Sequence, residues 1–201
     1  MKHDCQQKKP MPERTGRKTA DPLPGQLISG LIYSSAISLE QVYRDLENLF
    51  GRIDIASSSQ PFSWTTYYQK EMGQGLIRIF LAFECLVPQD FLAEAKHRAI
   101  GLEEKWKESG RRKVNIDPGI LTAERLVLAT TKNFTHRIYL SRGIFADLTL
   151  IYGKGGFAPL PWTYPDYREP WSLEFWKTVR QGYMERIRDM KNAVPDGGTD
   201  A

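Results

Sequence analysis

An α+β fold is what this sequence predicts, and three observations carry it. Short apolar runs of strand period alternate with longer stretches of helical period. The first six elements come in the order strand, helix, strand, strand, helix, strand, and three more strand candidates and a last amphipathic stretch follow. At 201 residues, 41% apolar and 26% charged, the chain is long enough to bury a real core within one domain.

Residues 27–33 (LISGLIY) form one apolar run and read as a buried first strand. Ser38 then opens a helix, with Gln41 three residues on as its capping-box partner. Leu39, Val42, Tyr43, Leu46, Leu49 and Phe50 share one face of that helix, and Gly51 is placed to end it. Residues 52–56 (RIDIA) alternate as a strand. The connector 57–75, containing SWTTYYQKEMGQG, is long for a compact domain, and such connectors are often functional or partly structured.

Residues 76–86 are the clearest strand, with Ile77, Ile79, Leu81, Phe83 and Cys85 on one face and Arg78, Phe80, Ala82 and Glu84 on the other. An amphipathic helix over 89–109 carries Phe91, Ala95, Ala99, Leu102 and Trp106 as its stripe, and Gly110 stops it. A short strand at 113–116 runs into the turn-forming Asp117-Pro118-Gly119. This order is the ferredoxin-like βαββαβ arrangement. Strands at 126–131, 136–140 and 144–152 extend its antiparallel sheet as a C-terminal meander, with a hairpin turn at Gly153-Lys154-Gly155-Gly156. Pro170 starts a final helix burying Leu173, Trp176, Val179, Tyr183, Ile187 and Met190. The expected organisation is a disordered basic tail at 1–24, one domain at 25–192 and a flexible tail at 193–201.

The charge balance narrows the partners. Residues 1–24 hold six Lys/Arg and three Asp/Glu, hence +3 of the formal +4, and the remaining 177 residues hold 22 cations and 21 anions. A domain-wide basic excess of the kind strong nucleic-acid binders carry is absent from the globular part. No apolar run approaches the ~20 residues that span a bilayer, and no secretory signal opens the chain. Cys5 and Cys85 make neither a disulfide framework nor a metal spacing, so the chain reads as cytoplasmic and reduced.

The residues with chemical potential fall in four groups. In TKNFTHRIYL (131–140), a three-residue loop at Asn133-Phe134-Thr135 would set Lys132 opposite His136 and Thr131 opposite Arg137. Opposed cations repel, so this hairpin end needs an anion, either an internal carboxylate or a ligand. In the NIDPG segment, turn formation is the default role, yet alternation puts Asn115 and Asp117 on one side of the strand end, where a carboxylate can orient a histidine, hold a metal or accept a proton. Glu71 in the connector and Arg78 and Glu84 on the strand are site candidates or structural ion pairs. Residues 161–167 (PWTYPDY) carry Trp162, Tyr164, Tyr167 and Asp166 on an extended, proline-stiffened segment that either seals the core or walls a pocket. His97 lies off its helix's apolar stripe and reads as solvated.

Other familiar chemistries are missing. There is no GxxxxGK[ST], HExxH, paired CxxC or GxSxG, and His136 is followed two residues later by Ile138, which excludes a His-x-Thr/Ser phosphoesterase pair.

LISGLIYS, FGRIDIASSSQPFSWTTYYQKEMG, RKVNIDPGIL, LVLATTKNFTHRIYLSRGIFADLTL and PWTYPDYR, in that order, resemble the signature segments of an uncharacterised prokaryotic family known only as a domain of unknown function. Some of its members are labelled GTP-binding proteins; this chain has neither a P-loop nor a guanine-specifying Asn-Lys-x-Asp. Asp147 stands where that family would have Glu. The resemblance covers about residues 24–190 and singles out Tyr67, Tyr68, Glu71, Asn115, Asp117, Lys132, His136, Arg137 and Asp166.

The leading expectation is a protein that binds a small anionic or phosphorylated ligand, such as a nucleotide, with action on that ligand left open. Lys132 and Arg137 would supply cationic contacts, with Arg78 and Asn115 nearby, and His136 a proton-transfer group oriented by Asp117 or Glu71. No dedicated metal set and no cofactor are assigned. The alternatives are an RNA-binding module stacking bases on Tyr67, Tyr68 and Trp162 beside the basic tail, or a complex-forming subunit without a ligand. Oligomeric state is left open.

Overall fold

In the computed structural model, which describes residues 20–193 other than Thr66, the first strand β1 (Gly25–Ser34) is buried over its whole length. Its continuous apolar run follows from covering on both faces. Leu27, Leu31 and Tyr33 face one helical layer, Ile28 faces another, and Ile32 packs with Phe62, Met72 and Leu76.

The chain continues through α1 (Leu39–Phe50), β2 (Ile53–Ala56), β3 (Gln60–Pro61), α2 (Gln69–Met72) and β4 (Leu76–Val87). After a 3-10 turn at Gln89–Phe91 come α3 (Leu92–Lys105), β5 (Lys107–Glu108), β6 (Arg111–Arg112), β7 (Val114–Leu121) and β8 (Arg125–Thr130). The last elements are β9 (Arg137–Ser141), β10 (Ile144–Gly153), β11 (Gly156–Pro159), α4 (Pro165–Arg168) and α5 (Pro170–Ala193). The main sheet is antiparallel in the order β11-β10-β8-β7-β1-β4-β2, with β3 added to β4 and β9 to β10. Helices α1 and α3 cover one face through Val42, Leu46, Phe50, Ala95, Ala99 and Leu102. On the other face α5 packs Phe175, Trp176, Val179, Tyr183 and Ile187 against Ile28, Phe80, Ala82 and Leu128. The α+β class and the extended antiparallel sheet are therefore as expected.

Several local expectations are corrected. Asp117-Pro118-Gly119 makes no turn, because β7 runs straight through it from Val114 to Leu121. Pro118 is tolerated for a reason of register. Ser34 N–H donates to Lys113 C=O (2.9 Å), and hydrogen-bonded pairs alternate along an antiparallel ladder, so the Ser29–Pro118 pair is one that exchanges no bonds with β1. The missing amide faces β8 instead, and the β7–β8 ladder begins only at Gly119 opposite Leu128.

The expected hairpin between residues 126–131 and 136–140 does not form. Strand β9 pairs with β10 through the two-residue loop Arg142-Gly143, whose φ values of 48° and 79° are those of the type I′ turn that suits twisted strands. Residues 131–136 cross over instead, and Lys132 is not set against His136. Helix α3 ends at Lys105 rather than 109, because Ser109 and Gly110, both at positive φ, close a β5–β6 ribbon. The 57–75 connector holds β3 and α2, and PWTYPDY contains the α4 turn. Met190 and Cys85 are exposed rather than part of the core. The expected tails at 1–24 and 193–201 fall mostly outside the described residues, although Gln89 and Tyr183 donate to the carbonyls of Leu23 and Pro24.

Gly119 is required by close approach: a Cβ there would lie 2.7 Å from the Val127 carbonyl oxygen and 2.7 Å from Ile28 Cδ1. Gly119→Ala should lower stability by about 1–3 kcal/mol through overpacking. Gly155→Ala, where nothing lies within 4 Å, should leave the urea midpoint unchanged.

Candidate functional site

Beyond Pro118 the strands β7 and β8 part, and the residues on either side of the opening, Asn115 and Asp117 against Leu128–Lys132, line a cavity of about 720 Å³. Parting leaves the β7 edge with unpaired backbone groups, which a buried segment must satisfy. Helix α3 supplies the partners. Glu103 accepts from the Ile116 amide (2.7 Å), and the Lys96 ammonium donates to the Ile116 carbonyl (2.6 Å). Both side chains are nearly fully buried.

These two charges anchor a network across four elements. Lys96 also meets Asp117 (3.1 Å), whose other oxygen accepts from Asn115 (2.7 Å). Arg112 on β6 contacts Glu103 (2.8 Å) and grips Glu71 of α2 with two hydrogen bonds (2.6 and 2.7 Å). Burial pushes the Glu103 carboxyl up against the pull of Lys96. Burial acts likewise on Asp117, but Lys96 and Arg78 outweigh it and hold Asp117 below the usual carboxylate range. Arg112 lowers Glu71 through its hydrogen bonds.

The inner wall is built on Arg78, buried in β4, with an ion-pair contact to the buried Asp166 (2.5 Å) that lies off the hydrogen-bonding direction. Its guanidinium sits 5.3 Å from the Phe62 and Phe80 rings and 5.7 Å from Tyr167. Gly30 of β1 lies beneath: a Cβ there would come within 2.8 Å of Arg78 Nη1 and closer still to the Tyr167 hydroxyl. Arg78 Nε, Arg78 Nη1 and the Tyr167 hydroxyl are sealed from solvent and have no hydrogen-bond partner among the described residues. Burial pushes the Tyr167 and Tyr68 hydroxyls far up, so both stay protonated.

The outer wall carries the TKNFTHRIYL cluster, and its anion is Asp147. Arg137 donates to Asp147 (2.8 Å), to the Lys132 carbonyl (3.0 Å) and to the Tyr164 hydroxyl (2.8 Å). His136 Nε2 stands 3.4 Å from the same Asp147 oxygen, and its ring stacks on Trp162 at 4.7 Å. Trp162 in turn donates to the Leu148 carbonyl. Lys132 makes no ion pair among the described residues; its ammonium lies 4.3 Å over the Tyr67 ring at the mouth.

Of the residues singled out in the sequence, Glu71, Arg78, Asn115, Asp117, Lys132, Asp166, Tyr67 and Tyr68 converge on this one cavity. His136, Arg137 and Trp162 stand behind Asp147 rather than on the wall. Neither Asp117 nor Glu71 orients His136, since both are held by Lys96 and Arg112; the carboxylate beside its ring is that of Asp147. Among the described residues no group of three or more His, Cys, Asp or Glu is arranged to hold a metal ion. Lys96, Glu103, Arg112 and Gly30 were not read from the sequence as site residues. Two signals pointed to them: Lys96 and Glu103 interrupt the stripe Leu92, Ala95, Ala99 and Leu102, and Gly30 interrupts an apolar strand.

A family model described as "Domain of unknown function (DUF4416)" matches residues 23–183. No curated protein and no solved structure matches the chain.

Asp166→Ala should cost about 3–5 kcal/mol in urea unfolding by stranding the buried Arg78 charge, whereas Arg78→Met with Asp166→Leu should recover most of that loss. Because its folded pKa is depressed, Asp117 adds stability above its unfolded pKa that is lost on acidification. Asp117→Asn should therefore flatten the fall in stability on acidification below about pH 5 and leave the profile above that unchanged.

Proposed function

The chain belongs to the family of this domain of unknown function, and we propose that its cavity binds a small anionic or phosphorylated ligand. The observation that carries the reading is the state of the wall cations. Arg78, Lys96, Lys107 and Arg112 are each matched by a carboxylate, whereas Lys132 rests on an aromatic face with no carboxylate partner among the described residues. An ammonium over a ring at a cavity mouth retains most of its capacity to attract an anion. The volume suits a ligand of metabolite size.

His136 stands behind Asp147 and off the cavity wall, so we assign it to holding that wall in place rather than to proton transfer on the ligand. Arg137 is assigned a positioning role, since its donors go to Asp147, Lys132 and Tyr164. We also read the strand order β7-β1-β4-β2 as supporting a ferredoxin-like core, and the free Cys85 thiol as supporting a reducing, cytoplasmic setting. The RNA-binding alternative draws less support. Tyr68 is half-buried against Phe62, Trp162 is stacked on His136, and the exposed Tyr67 face is covered by Lys132.

A thermal-shift screen of inorganic phosphate, sugar phosphates and nucleotides tests the reading. A ligand at about a hundred times its Kd adds about 2.7 kcal/mol, which for a domain of this size raises Tm by roughly 5–10 °C. Lys132→Ala should lose that shift while keeping its own melting temperature. A shift retained in Lys132→Ala, or none with any phosphorylated compound, would overturn the proposal.

A further inference from the structure

We infer that strand β9 is an interface on which a second copy of this chain docks edge to edge, giving a two-fold dimer whose sheet runs through both subunits. The contact is independent of what the cavity binds.

Among the described residues, four of the twelve exposed large hydrophobics fall in one short stretch: Phe134 (62% exposed), Ile138 (71%), Tyr139 (58%) and Leu140 (39%). Ile138 lies opposite Ala146 and Tyr139 opposite Phe145, so these neighbours stand on opposite faces of the sheet. A docked helix would cover only one of those faces. A further strand alongside, with side chains on both faces of its own, covers both together. Strand β9 pairs with β10 and with no other strand among the described residues, which leaves its outer backbone groups open to such a strand.

The other edges of the sheet are blunted. Strand β3 ends in Pro61 and β11 in Pro159, while β2 carries Asp54, paired with Arg186 of α5. Residues 138–141 hold neither a charge nor a proline. Charge also selects the occupant. Arg137 and Arg142, which bracket this edge, are paired within the subunit with Asp147 and Glu94, so the patch brought against itself meets no like charge to repel it. Antiparallel pairing about a two-fold axis sets the backbone donors of one copy against the acceptors of an identical strand. Ser141 lies opposite Ile144 and Tyr139 opposite Phe145, which makes Leu140 the extra residue of a bulge. A bulge bends that end of the strand, so the contact centres on Ile138 and Tyr139. At roughly 200 Å² for a fully exposed large side chain, the four exposures amount to about 450 Å² per copy. Both copies together bury about 900 Å² from these residues, and rim residues bring the contact to the lower end of specific interfaces, roughly 1,200 Å².

Sedimentation equilibrium of the full chain tests the dimer. Wild type should pass from monomer to dimer over about 10–100 µM, the strength of a modest interface. Ile138→Lys sets an unpaired charge at the two-fold and should raise the dissociation constant at least about tenfold. Its melting temperature in dilute, monomeric solution should equal that of wild type, which separates lost association from a folding defect. Met184→Lys, at an exposed apolar residue of α5, should leave the dissociation constant unchanged. An equimolar mixture of Ile138→Lys and Ile138→Asp should associate more tightly than either variant alone, because only a contact of the patch with itself brings residue 138 of the two copies together. A wild type that stays monomeric up to about 1 mM, a dimer that Ile138→Lys does not weaken, or a mixture no tighter than its components would overturn the inference.

Discussion

Proline 118 has no amide hydrogen, and it sits on the β7 edge that would otherwise bond to β8. From that point the two strands cannot zip further, and the sheet opens where most sheets would continue. The Ile116 edge groups, freed by the same break, draw in Lys96 and Glu103 from α3. Their charges recruit Asp117, Asn115 and Arg112, and Arg112 reaches Glu71 on the far connector. The cavity, its polar lining and the ordering of the long connector therefore descend from one absent hydrogen bond.

Charge in this lining is close-packed because each buried ion has been matched locally. Such matching is expensive in desolvation and adds little net stability compared with an apolar wall of the same shape. Its retention here fits a surface whose task is to present donors and acceptors in fixed positions. The aromatic contribution serves the same end. Phe80 lies against Tyr167, Trp171 and Trp176 at 4.6–5.1 Å, which fixes the Tyr167 ring from behind while its hydroxyl points toward Arg78.

The parts of the fold legible in the sequence were those set by local periodicity. Helix α1, with Ser38 at its start and Gly51 at its end, follows from spacing and capping alone. Strand β4 and the hairpin at Gly153–Gly156 do likewise. The errors lie where one local signal serves two structures. Asp-Pro-Gly is turn chemistry, yet it is equally compatible with a strand whose partner is lost on one edge. Asn133-Phe134-Thr135 resembled a hairpin loop, although the left-handed Arg142-Gly143 pair a few residues later closes the actual one. The site itself was half legible. Charged residues in the connector, in NIDPG and in TKNFTHRIYL did converge, but their partners Lys96, Glu103 and Arg112 depend on α3 lying against the open edge, a contact no local pattern encodes.

Arg137 holds three separate pieces of the outer wall with one guanidinium: the Lys132 backbone, the Asp147 side chain and the Tyr164 hydroxyl. Each piece, left untethered, would bring its own configurational freedom to a binding event and lose it there. Because the tether forms as the chain folds, that loss of entropy falls on folding, and an incoming molecule meets a surface already immobilised. The consequence is kinetic as well as energetic: recognition at this wall proceeds as docking onto a standing shape, without the delay of ordering a loop around the guest.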